Sequence, residues 1–84
     1  MDDLSERVFR YANRFADKAE RMGRGTQWPT VAMAARALKR KQADIDSAVS
    51  EYCGPGYCGL SYWDTTEYRN GRVPLGKHFV EAYY

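Results

Sequence analysis

The chain has 84 residues, of which 44% are hydrophobic, 14% aromatic and 29% charged, with a formal net charge of +2. A chain this short buries only about 60–65% of its unfolded surface and supports one core, which excludes a multidomain enzyme. It is too apolar and aromatic for a disordered segment, and no run approaches the ~18 apolar residues of a spanning helix, so no membrane partner is expected. The N-terminus, Met1-Asp2-Asp3-Leu4, is acidic where a secretory signal is basic, and the expected compartment is the cytoplasm.

In chain order, Leu4, Val8, Tyr11, Ala12, Phe15, Ala16, Ala19 and Met22 recur at three- and four-residue steps. This predicts an amphipathic helix from Asp3 to Met22, with Phe9 off the apolar face. Asp3 and Glu6 have the spacing of a capping box, and Gly23 and Gly25 provide the stop. Thr26-Gln27-Trp28-Pro29 reads as one brief edge strand, since the residue before proline is pushed towards extended backbone. Thr30 is placed to cap a second helix, Val31 to about Lys39, that buries Val31, Ala34, Ala35 and Leu38. The run Lys39-Arg40-Lys41-Gln42 breaks the apolar periodicity, which resumes at Ile45, Ala48, Val49 and Tyr52 as a third helix ending by Cys53.

Gly54, Pro55, Gly56 and Gly59 then impose a loop. Beyond it, Leu60, Tyr62, Trp63, Thr65, Thr66 and Tyr68 suit a strand, and Asn70-Gly71 signals a hairpin tip because both central positions of that turn want positive φ. Val73-Pro74-Leu75 is expected to return as an outer strand, where proline is tolerated. Residues 77–84 read equally as a last strand or a short helix. Trp28, Tyr62 and Trp63 are expected to close the helical layer against the sheet, and His78 to be an ordinary surface or packing residue.

Cys53 and Cys58 are expected to be free thiols in a reducing compartment, although the loop between them is short enough to let them pair. With His78 they make three soft or borderline ligands, one short of a tetrahedral set, so no metal or other cofactor is expected. Charge is unevenly distributed: residues 1–42 carry ten Lys/Arg against five Asp/Glu, and the remainder three against six. A chain so polarised orients in the field of an anionic partner, while a solvated helix face accounts for the same bases equally well.

The order of long helix, short strand, helix, short turn, helix, glycine loop and hairpin resembles that of a winged helix-turn-helix domain. That is an α+β fold in which three helices precede a C-terminal β-hairpin wing and the third helix enters the DNA major groove. The resemblance is specific between Val31 and Val49, where Ala34 and Ala35 provide the small residues at the helix contact and Leu38, Ile45 and Ala48 the apolar anchors. In the turn, where the family often has glycine, this chain has Lys39 and Arg40. Asp44, Asp46 and Glu51 lie on or beside the exposed side of the third helix, where carboxylates repel phosphates. In outline the chain is similar to small phage and plasmid regulators, excisionase-like proteins among them.

The resemblance implies sequence-specific binding of double-stranded DNA by a small transcriptional regulator or excisionase-like architectural factor. It also implies a homodimer, with the first helix and the aromatic C-terminus as candidate surfaces. Lys39, Arg40, Lys41 and Arg36 become phosphate contacts. Gln42, Ala43, Asp46, Ser47 and Ser50 become groove-facing, with Gln42 suited to adenine and Asp46 to cytosine. Arg69 and Arg72 at the wing tip suit a minor-groove or phosphate contact. Each has a plainer reading, as a solvated turn or as arginines that discourage edge-to-edge sheet association.

A second class of function stays open: a protein-interaction module, such as a phage or plasmid inhibitor, that binds another protein through the same scaffold. The acids of the third helix and the aromatic second half of the chain favour it. Catalysis is not expected, because the chain has no phosphate-cradling glycine loop, no serine elbow and a single histidine to act as a base.

Overall fold

The computed structural model describes residues 3–51, 59–63 and 73–83. They form three helices, α1 (Asp3–Arg21), α2 (Val31–Leu38) and α3 (Gln42–Glu51), followed by two antiparallel strands, β1 (Gly59–Tyr62) and β2 (Val80–Tyr83). A 3₁₀ turn at Leu75–Lys77 lies between the strands. The domain is α+β, in the winged-helix layout that the sequence predicts. The expected hairpin tip at Asn70-Gly71, the Cys53 to Cys58 loop, strand residues Thr65 to Tyr68 and the wing arginines Arg69 and Arg72 lie outside the described residues.

Helix α1 buries Val8, Ala12, Ala16 and Ala19, which return to one face at the helical period, and packs against α3 and β2. The expected Asp3–Glu6 capping box rests on the Asp3 side chain, which lies outside those described; Glu6 is paired with Arg10. Phe9, expected off the apolar face, packs at the edge of the core. Met22, expected on that face, is 55% exposed because the helix ends one residue before it. Ser5 is buried, and its hydroxyl donates to the Ala48 carbonyl oxygen at 3.2 Å, which ties α1 to α3.

Both α1 and α2 end in a paired-bond Schellman cap. In α1 the Gly23 N–H donates to Glu20 O at 3.0 Å and the Arg24 N–H to Ala19 O at 3.0 Å, with Gly23 left-handed at φ 76°. In α2 the same bonds run from Lys39 to Arg36 O (3.4 Å) and from Arg40 to Ala35 O (2.9 Å), and Lys39 takes the left-handed backbone at φ 56°. A side chain there crowds the following carbonyl at a cost of roughly 1–2 kcal/mol. Lys39→Gly is therefore expected to raise stability by about 0.5–1 kcal/mol, once glycine's greater freedom in the unfolded chain is subtracted. Lys39→Ala keeps the strain and is expected to change stability by less than about 0.5 kcal/mol. Urea denaturation of both variants checks this, and an equal response would show that the cap is unstrained.

Thr30 caps α2 as expected, its Oγ1 accepting the Met33 N–H at 3.2 Å. The strand expected at Thr26–Pro29 does not form. The chain meets the sheet one step later, through a bridge between Thr30 and Phe79: the Val80 N–H donates to Pro29 O and the Val31 N–H to His78 O, each at 2.8 Å. Pro29 has no N–H and can only accept, whereas the Val31 N–H belongs to the first helical turn and has no partner within α2. On its other side β2 pairs with β1 in the register Leu60↔Ala82 and Tyr62↔Val80, and the Trp63 N–H donates to Phe79 O at 3.1 Å.

Val73-Pro74-Leu75 is not the returning strand. Pro74, at φ −58°, opens the 3₁₀ turn, whose bonds run from Lys77 N–H to Pro74 O and from His78 N–H to Leu75 O. The open choice at residues 77–84 resolves as strand over Val80–Tyr83, after Lys77 closes the 3₁₀ turn. His78, Val80 and Ala82 alternate inward, with His78 only 1% exposed and its ring 5.4 Å from that of Tyr62. Of the aromatics expected to seal the layer, Tyr62 is buried and Trp28 packs at the core edge, but Trp63 is 66% exposed, because the two-residue strand period turns it to the outer face.

Candidate nucleic-acid interface

Helix α3 stands on the buried residues Ile45, Ala48 and Val49 and packs against α1, α2 and β1. Its fixed side determines its free side: Ala43, Ser47 and Ser50, spaced four and three residues apart, form the outward line and are all exposed. The turn that leads into it presents Lys39, Arg40 and Lys41 to solvent, and Arg36 of α2 is exposed one turn before it. None of these four cations forms an ion pair among the described residues.

The first bonds of α3 run from the Asp44 and Ile45 N–H groups to Lys41 O, at 3.0 and 3.2 Å, which makes Lys41 the residue that precedes the helix proper. The Asp44 carboxylate reaches back to the Lys41 N–H at 3.4 Å, a long contact that forms the returning half of a capping box. Gln42 is exposed at the backbone end of α3, yet its amide lies over Gly76, where an added Cβ would stand 2.9 Å from Oε1. Asp46 is half-buried and accepts the Tyr62 hydroxyl at 2.6 Å.

Arg36, Lys39, Arg40 and Lys41 are thus exposed on α2 and the turn, and Ala43, Ser47 and Ser50 on the outward line of α3. The structure turns Asp46 towards β1 and Gln42 towards the 3₁₀ turn, while Arg69 and Arg72 lie outside the described residues. Sequence reasoning missed the Asp46–Tyr62 bond, and no local pattern carries it, because the partners are sixteen residues apart. Tyr62→Phe is expected to cost about 1–2 kcal/mol, towards the low end for a bond to a charged acceptor because Asp46 keeps some contact with water. A double-mutant cycle with Asp46→Ala should return a coupling of about 1 kcal/mol; additive losses would mean that the bond contributes nothing.

No protein-family model, curated protein or solved structure matches the chain. Among the described residues no three His, Cys, Asp or Glu side chains converge as metal ligands, and no helix is long and apolar enough to cross a membrane.

A concavity of about 590 Å³ shares no residue with the α3 face. Phe15 of α1, Thr26 to Trp28 of the connecting segment, Met33 of α2, and Trp63 and Phe79 at the end of the sheet line it. The Trp63 and Phe79 rings meet edge to face at 5.8 Å. Next to it, Tyr11 packs its ring 6.3 Å from Phe15, and burial pushes its hydroxyl pKa above the ordinary value of 10.0.

Proposed function

We propose that the chain binds double-stranded DNA with α3 as its groove-facing helix, and acts as a small transcriptional regulator or an excisionase-like architectural factor. The observation that carries this reading is the uncovered outward line of α3, bordered at its N-terminal end by the exposed cations of Arg36 to Lys41. A helix N-terminus adds its own positive partial charge to such a border, which favours phosphate. Ala43, Ser47 and Ser50 are short enough for close approach to base edges, and a serine hydroxyl donates or accepts as the base requires. In this reading Gln42 leaves Gly76 to reach a base, and Asp46 acts from its place beside Tyr62. The wing arginines Arg69 and Arg72, a two-fold homodimer and a cytoplasmic location belong to the same proposal.

A protein-interaction role is the second reading, and the aromatic concavity favours it, since aromatic side chains and methionine are enriched at protein interfaces. Titration of labelled random-sequence duplex at low and at physiological salt separates the two. A DNA binder loses affinity steeply as salt rises, and enriches a defined motif from a randomised pool. No duplex binding even at low salt would overturn the DNA reading and leave the interaction module.

A further inference from the structure

We infer that the outer side of α1 is a second backbone contact for duplex DNA, so that one chain bridges two duplex segments. For the first of those segments the inference rests on the α3 reading. At about 100° per residue, Arg7, Arg10, Arg14, Lys18 and Arg21 fall within an arc of about 80° along about 21 Å of α1. All five are exposed, and no other residue between Arg7 and Arg21 lies within the arc. Arg10 is paired with Glu6, whereas the other four form no ion pair among the described residues. Asp17, also exposed, is the acid of that stretch nearest to the arc, about 20° outside it.

The composition of the arc selects its partner. It has no apolar centre, which a protein interface uses as its anchor. The apolar side of α1 is committed to the core, so α1 has nothing to insert into a lipid surface. A linear polyanion fits instead. Four of the five cations are arginines, whose planar fork matches phosphate oxygens, and about 21 Å of helix laid along one strand meets about six phosphates at roughly 3.4 Å each. Arg10 and Arg14 also line a depression of about 400 Å³ with Phe9, Asn13 and Asp17. The Asn13 Nδ2 is buried there and has no hydrogen-bond partner, so its amide can turn towards an oxyanion seated between the two guanidiniums without breaking a bond.

The arc and the outward line of α3 point away from each other. Ser5, which donates to the Ala48 carbonyl oxygen, stands about 180° around α1 from the centre of the arc. On α3, Ala48 belongs to the buried side with Ile45 and Val49, and Ala43, Ser47 and Ser50 to the opposite one. A straight duplex on the α3 line therefore does not reach the arc, which takes a second segment. That second contact is the weaker, because it enters no groove and reads no base.

Bridging is read with two random-sequence duplexes, one immobilised on beads and the other fluorescent and free. At low salt the parent should carry the labelled duplex to the beads. Arg7→Gln, Arg14→Gln and Arg21→Gln together should cut the captured label about tenfold or more, while affinity for a single duplex, measured by anisotropy, stays within about twofold. Asp17→Asn, which removes the acid beside the arc, should raise capture. The substituted sites are exposed, so the variants keep the fold, as circular dichroism will record. Undiminished capture by the triple variant would overturn the inference and assign bridging to the α3 helices of two paired chains. An equal fall in single-duplex affinity would place the arc on the same duplex as α3, which also overturns it. If the parent binds one duplex but captures no second, the inference fails and the α3 reading stands; adsorption to anionic phospholipid vesicles that the triple variant loses would then assign the arc to a membrane surface. A parent that binds no duplex at all overturns the α3 reading, and this one with it.

Discussion

Replacing Lys39, Arg40 and Lys41 together by alanine is expected to weaken binding to every duplex, whatever its sequence, by roughly ten- to a hundredfold at moderate salt. Each phosphate neutralised contributes about 0.9 to the slope of log affinity against log salt, so the loss of three contacts should flatten that slope by about 2.7. All three side chains are exposed, and none is part of the core, so the variant should remain folded. Fluorescence anisotropy on one labelled duplex across a salt series measures both quantities. If the variant binds as the parent does, with the same slope, the basic turn is no part of the interface.

Ile45→Ala carries the largest expected effect on stability. Ile45 is fully buried at the junction of α3 with the rest of the core. Removing three carbons there leaves a cavity that surrounding side chains fill only in part, at about 2–5 kcal/mol. A domain of this length holds about 4–12 kcal/mol in all, so much of its stability goes with one side chain. The midpoint of thermal unfolding should fall by roughly 8–40 °C, at 4–8 °C per kcal/mol. Ser47→Ala, two residues further along the same helix on its open side, should change stability by less than about 0.5 kcal/mol. Comparable losses at both positions would mean that α3 is not held by the side described.

The three helices were legible because their apolar residues return at a fixed period, and Thr30 and Gly23 mark boundaries by chemistry that acts within a few residues. Lys39 was not legible as a left-handed cap: its backbone is held by bonds to Arg36 and Ala35, and its side chain gives no sign of that. The β-prone composition of Val73-Pro74-Leu75 obscures the returning strand, while the alternation of His78, Val80 and Ala82 against Phe79 and Glu81 spans too few residues to decide strand over helix. The same parity, taken from Leu60 and Tyr62, puts Trp63 on the outer face, although its residue type suits the core. In the candidate interface the basic turn and the open line of α3 follow from spacing alone. The diversion of Asp46 to Tyr62 and of Gln42 to Gly76 depends on how β1 and the 3₁₀ turn come to rest beside α3, which local pattern does not encode.

The bridge at Thr30 bears on the order in which the molecule assembles. The first free N–H of α2 and the carbonyl of Pro29 are both met by residues 78–80, and β1 pairs with the next stretch of that same segment. During synthesis on the ribosome, α1, α2 and α3 all emerge before the strand that joins them to the sheet. Until it appears, the helices have only one another, and the inward sides of Leu60 and Tyr62 have no partner strand. Consolidation of the core therefore waits on a contact between positions about fifty residues apart, a long loop closure that slows folding.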